Sequence, residues 1–413
     1  VSPAALDGAT ASVTTAAAPC AVSPVVSPLG RPALRPLLTC LVLLVSAVAW
    51  RKGSYFDGGL DVVVLAKAGL SVTALALAAT APARGIPWRS LPVGPLPLLA
   101  VYLGVTTVGS ALHDSAQPTV VLAVRIVVVA ATAVFLVHAF PIAELLSSLA
   151  AAMLLLAGFA SVTGVGSLAS GRLYGGLPPL NANEISLLFS VPLLCLLWRC
   201  VHHWATWQDV AAILPCLGVI WLTGARTGVI ALLLSVVLLV LMAPRVPVGV
   251  MCAGLLAVPT GLYLMFLTPV VSTFATRGDS AGVLTLNSRT VAWHAAFHHA
   301  DSWPEKLLGV GLSVKEIPVS AMYRTEQILD STWVSAYVQA GAVGTAVLAI
   351  LVLVTFARVA TSRPPMRSLS AALLLLLASR SFLESGVLDA TPSGITFLVV
   401  ALALRPPSLA EQP

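Results

Sequence analysis

The stretch PTVVLAVRIVVVAATAVFLVH, Pro118 to His138, carries one arginine and no acidic residue. As a helix rising 1.5 Å per residue it would be about 30 Å long, the thickness of a bilayer's hydrocarbon core. The rest of the 413-residue chain has the same character: 58% of its residues are hydrophobic and 9% are charged. Its mean hydropathy is +0.98. A soluble protein averages roughly 25% charged residues, so this chain has too few to coat a water-facing surface. The composition specifies an all-α, polytopic transmembrane helical bundle and excludes a soluble helical core.

Apolar runs bounded by Pro, Gly or charge predict about twelve membrane helices. Nine fall within 37–270, at about 37–50, 60–80, 93–112, 118–138, 142–165, 184–201, 208–223, 227–243 and 248–270. Three fall within 332–404, at about 332–356, 368–385 and 391–404. Residues 1–36 are Ala-, Val- and Pro-rich without periodicity and read as a disordered cytoplasmic tail, and 405–413 as a second cytoplasmic tail. Arg84, Arg89, Arg199, Arg245, Arg358, Arg363 and Arg367 fall in alternate short loops, which the positive-inside rule makes cytoplasmic. Residues 271–331 then form one large extracytoplasmic loop, long enough to hold short helices of its own and too long to be idle. The net charge of +6 reflects this topology, and no nucleic-acid partner is expected. The six cysteines lack metal-site spacing and read as small apolar residues.

Ionisable groups inside spans are costly unless paired or hydrated, so each is a candidate functional residue. Asp61, Lys67, Arg125, Arg380 and Glu384 are such groups. In this topology each lies in the outer half of its span, with Lys67, Arg125 and Arg380 at similar depth. The expectation is a charged cavity open to the outside that binds an anion such as a diphosphate. The competing reading for Arg380 and Glu384, four residues apart, is an ion pair that holds helices together.

Four outward-facing stretches carry the remaining chemistry: GRLYGGLPPLNANE (Gly171 to Glu184), LTGARTGVI (Leu222 to Ile230), LNSRTVAWHAAF (Leu286 to Phe297) and LDSTWVSAYVQAGAVGT (Leu329 to Thr345). In this order and placement they resemble the O-antigen ligase and Wzy-type polymerase superfamily. The resemblance covers roughly Gly171 to Val347. It implies a GT-C-like, metal-independent glycosyltransferase with no cofactor, working at the outer face of a bacterial cytoplasmic membrane. The donor would be a polyprenyl-diphosphate-linked glycan and the acceptor a hydroxyl on a glycan, lipid or cell-wall component.

By this resemblance Arg226 and Arg289 hold the carrier diphosphate, and Arg172 and Asn183 match the loop element ahead of a span. Asp330 stands where the family commonly has histidine, as the base that takes the acceptor's proton. Physical chemistry agrees. Charge grows on the leaving phosphate oxygens, and arginine's planar fork binds them bidentately while staying protonated. Asn287 or Ser288 would cap a helix carrying Arg289 in its first turn, with Trp293 on the same face as a platform for a sugar ring or isoprene units. Asp330 is equally well placed to cap the tenth span. His294 and His298 are spaced as a zinc pair, but the Glu of H-E-x-x-H and a third ligand are missing, so no metal site is expected. Ligase and polymerase are not separable in the sequence. A transporter of lipid-linked glycan or solute would use the same buried cations without needing the ordered outer loop.

Overall fold

The computed structural model describes residues 32–51, 61–113, 115–243, 249, 292–300, 302–321, 324–362 and 366–404. It is a helical bundle. In chain order the helices are α1 (Leu34–Ala47), α2 (Val62–Ala79), α3 (Pro95–Ala111), α4 (Ala116–Ala139), α5 (Ile142–Thr163), α6 (Ala182–Val201), α7 (Trp207–Thr223) and α8 (Arg226–Leu241). After them come a helical stretch at 292–298 and α9 (Trp303–Leu308). The hairpin of β1 (Glu316–Ala321) and β2 (Arg324–Ile328) follows, and then α10 (Thr332–Thr361), α11 (Met366–Ser381) and α12 (Pro392–Ala403).

Every expected span has its helix except 248–270, of which only 249 is described; 271–291, Arg245, Arg289 and Arg363 lie outside the described residues. The expected number of about twelve crossings is not confirmed. Among the described residues five helices, α2, α4, α5, α6 and α10, are long and apolar enough to cross a membrane. Helices α1, α3, α7, α8 and α12 are apolar but only 10–17 residues long. Helix α11 stands apart: most of its residues are buried against protein, including Leu369, Leu373, Leu376 and Leu377, so it needs little apolar contact with lipid. A second departure is the antiparallel hairpin, which pairs Glu316 with Ile328 and Ile317 with Gln327 where only short helices were expected.

The helix starts follow from local capping chemistry. Asn181 accepts the Glu184 amide while the Glu184 carboxylate accepts the Asn181 amide, a capping box that fixes the start of α6. Thr206 and Asp209 do the same for α7, and Thr391 caps α12. Between α7 and α8 the chain turns at Gly224, whose φ of 60° suits glycine. That tight turn makes Arg226 the first residue of α8.

Helix α6 is the most enclosed of the five long spans, with 72% of its apolar window buried against 17% for α2. It packs on α5, α7, α8 and α11. Buried hydroxyls within the bundle, such as Ser190, Ser235 and Thr355, donate to the carbonyl four residues back, so they carry no unmet donor into the apolar interior.

Helix α10 is broken at Gly341 (φ 63°, ψ −164°). A lobe formed by the described residues between 292 and 331 enters the break: the amides of Val310 and Gly311 donate to the carbonyls of Val338 and Gln339, and the Gln339 side chain donates to the Val314 carbonyl. At this end of the bundle His113 at the end of α3 bonds Glu305 of α9 at 3.0 Å, and Ser115 donates to the Val310 carbonyl. These bonds hold the lobe over the ends of α3, α4 and α10. The Arg84–Glu144 and Arg199–Asp209 pairs lie at the opposite end.

Candidate functional site

Two charged groupings occupy the lobe-bearing end. The first surrounds a cavity of about 270 Å³ between α4, α6, α11, the start of α12 and the lobe. Its cations are Arg125, Lys315 and Arg380, and its carboxylates are Glu184, Asp330, Glu384 and Asp389. Residues expected from α4, α11 and the start of α10 therefore meet in one place.

Each of these side chains has a specific support. Arg125 donates through Nη2 to the Ser46 carbonyl at 2.9 Å, and at 3.4 Å to those of Ala47 and Ala390. A cation there complements the open carbonyls at the C-terminus of α1. Arg380 is 5% exposed, and its Nη2 donates to the Asn183 carbonyl at 2.8 Å. The Asn183 side chain in turn donates to Glu384, so one residue at the start of α6 positions both Arg380 of α11 and the carboxylate just beyond its end. Lys315 binds both carboxylate oxygens of Asp389, at 3.0 and 2.8 Å, and so ties the base of the hairpin to the turn before α12.

Asp330 lines the cavity one residue ahead of α10, whose cap is Ser331: the Ser331 hydroxyl accepts the Val334 amide. The cap expected of Asp330 is thus supplied by its neighbour, because Ser331 occupies the last extended position before the helix. Further bonds seat the start of α10 on α11. Thr332 bonds the Glu384 carbonyl through its amide and hydroxyl, and the Trp333 indole donates to the Ser381 hydroxyl.

The second grouping is a pair of guanidiniums at the α7–α8 turn. The Leu173 amide donates to the Leu222 carbonyl, and Arg172 Nε donates to the Thr223 carbonyl at 2.9 Å. Arg172 is thereby held close enough for its charge to act on Arg226. Nε and Nη2 of Arg226 are buried without a hydrogen-bond partner among the described residues. Among the described residues neither arginine has a carboxylate partner. Arg380 also reaches α8: a Cβ built on Gly228, two residues past Arg226, would lie 2.8 Å from Arg380 Nη1.

Two expected site residues lie apart from both groupings. Lys67 is not on the cavity wall, and its ammonium lies 5.9 Å from the centre of the Trp50 ring. Trp293 packs half-buried against the lobe's small apolar core of Ala296, Val310, Ile317, Leu329, Val334 and Val338. The His294 and His298 rings stack with centroids 4.2 Å apart. Arg289 lies outside the described residues.

Sequence reasoning did not single out Lys315, Asp389 or Glu184. Asp389 had a signal: it stands just ahead of a Thr-Pro helix start at the outer end of the last span, where the reasoning used for Arg380 would have found it. Lys315 had none, because its partner is 74 residues away. No protein-family model matches the chain, and no curated protein matches it.

Proposed function

We propose that this protein is a membrane glycosyltransferase of the ligase type. It moves a glycan from a polyprenyl diphosphate carrier to an acceptor hydroxyl at the outer face of a bacterial cytoplasmic membrane. The observation that carries the reading is the Arg172–Arg226 pair: two guanidiniums at the α7–α8 turn that have no carboxylate partner among the described residues, in a bundle whose carboxylate-lined cavity includes Arg380, a neighbour of α8. Like charges held together are unfavourable alone and become favourable when a multiply charged anion binds between them. The free N–H groups in the first turn of α8 add to that attraction.

In the proposed reaction the acceptor oxygen bonds to the anomeric carbon as the bond from that carbon to the phosphate oxygen breaks. The bonding electron pair leaves with the diphosphate, whose growing charge Arg172 and Arg226 neutralise. Arg289 joins them through the resemblance alone. The hydroxyl proton passes to the Asp330 carboxylate and from there to water. Asn183 acts indirectly, by holding Arg380 and Glu384.

The test is transfer by the purified full-length chain in detergent, given a synthetic polyprenyl-diphosphate oligosaccharide and a hydroxyl acceptor. Glycosylated acceptor and free polyprenyl diphosphate are expected together. Carrier movement in vesicles with no transfer in detergent would make the protein a transporter instead. Deleting the gene separates the two enzyme types: full-length carrier-linked glycan accumulates if a ligase is lost, and single repeat units accumulate if a polymerase is lost.

A further inference from the structure

The sequence groups Arg125 and Arg380 with the diphosphate-binding cations, but their surroundings assign them a different ligand. We infer that the cavity they line is a sugar subsite, which binds an uncharged, polyhydroxylated ring while the diphosphate stays at Arg172 and Arg226. This inference rests on the glycosyltransferase reading.

The charge balance argues first. Four carboxylates, Glu184, Asp330, Glu384 and Asp389, face three cations, Arg125, Lys315 and Arg380, for a formal charge of −1. Lys67, outside the wall but near enough to Glu184 and Arg125 to feel their charges, brings the sum only to zero. A site of that balance does not attract a diphosphate, which carries several negative charges itself.

Prior engagement of the cations argues second. The Lys315 ammonium lies on both oxygens of Asp389, and Arg125 Nη2 is shared among three carbonyls. Arg380 Nη2 is held by the Asn183 carbonyl, while its Nη1, without a hydrogen-bond partner among the described residues, faces Gly228 on the side of α8. Phosphate at Lys315 or at the engaged Nη2 groups would require breaking these contacts in a low-dielectric setting.

The chemistry of the walls argues third. Carboxylates accept from hydroxyls and guanidiniums donate to them, and the presence of both in the wall of one small cavity suits a ring with hydroxyls on several faces. The placement also suits the reaction. Arg380 is common to the cavity wall and to the surroundings of α8, the helix that begins at Arg226, so the sugar site near Asp330 and the guanidinium pair share a neighbouring element.

The experiment uses the full-length protein in detergent with inorganic pyrophosphate and the methyl glycosides of glucose and N-acetylglucosamine as separate probes. Saturation-transfer NMR reads the glycosides and calorimetry reads pyrophosphate. Glu384→Gln, or a Lys315→Asn and Asp389→Asn double variant if the first does not fold, should weaken glycoside binding about tenfold and leave pyrophosphate unchanged, as expected when one charged hydrogen-bonding partner is lost. Arg226→Ala should do the reverse. In the unmodified protein saturating pyrophosphate should leave glycoside binding intact, whereas mutual displacement, or loss of pyrophosphate binding in the cavity variants, overturns the assignment. Donor and acceptor sugar are told apart by adding polyprenyl diphosphate glycan: displacement of the glycoside identifies the donor's ring, and joint binding the acceptor's. If pyrophosphate does not bind and no transfer occurs but glycosides still bind at the cavity, the enzyme reading fails and the sugar subsite stands.

Discussion

Gly341 of α10 lies directly on the backbone of Leu307 in α9. A Cβ at position 341 would stand 2.3 Å from the Leu307 carbonyl carbon and 2.4 Å from its oxygen. Both obstacles are main chain and cannot rotate aside, and the backbone angles at 341 belong to a region that only glycine occupies readily. Gly341→Ala should therefore lower stability by about 2–4 kcal/mol and release the lobe from the break in α10. Gly104→Ala is the control, since nothing lies within 4 Å of its added Cβ. Thermal unfolding of the two variants in detergent checks this, and matching midpoints would remove the lobe's claim on the α10 break.

The neighbours Asp330 and Ser331 divide two roles that the sequence offers to either. Because Ser331 supplies the cap, Ser331→Ala should cost about 1 kcal/mol of stability. Asp330→Asn should leave stability near wild type and cut transfer by about 10²–10⁴-fold, the usual contribution of a general base. An active Asp330→Asn protein would end the base assignment.

For the guanidinium pair, Arg226→Lys keeps the charge and discards the planar fork. Transfer should fall at least about tenfold, corresponding to one lost bidentate contact, while membrane insertion and the α7–α8 turn persist. Turnover at wild-type level would mean that Arg226 marks a helix boundary and holds no phosphate.

Much of this arrangement is legible in the sequence because membrane helices obey two coarse constraints, span length and charge avoidance. Arg125 and Arg380, given similar depth by their spans, meet at one cavity, whereas Lys67, given the same depth, does not line it. What such reasoning misses is tertiary or finely local. The Lys315–Asp389 pair depends on how the lobe folds back on α12. The β1–β2 hairpin is short and includes Pro318, which cannot donate to a ladder, so its alternation is weak until the partner strand is known. Asp330 and Ser331 are equally good caps by residue type, and only backbone geometry chooses between them. Gly341 sits in an apolar run where glycine is common in membrane helices, so nothing local marks a break.

Outside the bundle's interior, Asp61 caps α2 by accepting the Val64 amide at 2.8 Å and pairs with Arg51 at 2.7 Å. The Val64 amide foremost, with Arg51 adding to it, holds the Asp61 carboxyl below the usual carboxylate range. A depressed carboxylate contributes fully above its unfolded pKa, about 3.9, and loses that contribution as pH falls through the lower folded value. Protection of the Val64 amide from hydrogen exchange should hold from neutral pH down to about 5 and decline only below about 4. A decline that begins near pH 6 would point to a histidine and exclude Asp61 as the controlling group.

Gly228 provides the sharpest test of how the two charged groupings communicate. An added Cβ would lie 2.3 Å from Ser186 Oγ and 2.8 Å from Arg380 Nη1, both side-chain atoms. Helix propensity alone favours alanine over glycine by about 1 kcal/mol, so Gly228→Ala should leave stability nearly unchanged once those side chains shift. The shift is not neutral for the site. Arg380 Nη2 bonds the Asn183 carbonyl, and the Asn183 side chain bonds Glu384, so moving the guanidinium disturbs the cavity wall through both. Transfer and glycoside binding should each fall about tenfold, with pyrophosphate binding at Arg226 preserved. Combining Gly228→Ala with Ser186→Ala removes the nearer obstacle and should restore part of the loss. Wild-type transfer and glycoside binding in the single variant would show that the site does not depend on where Arg380 is held.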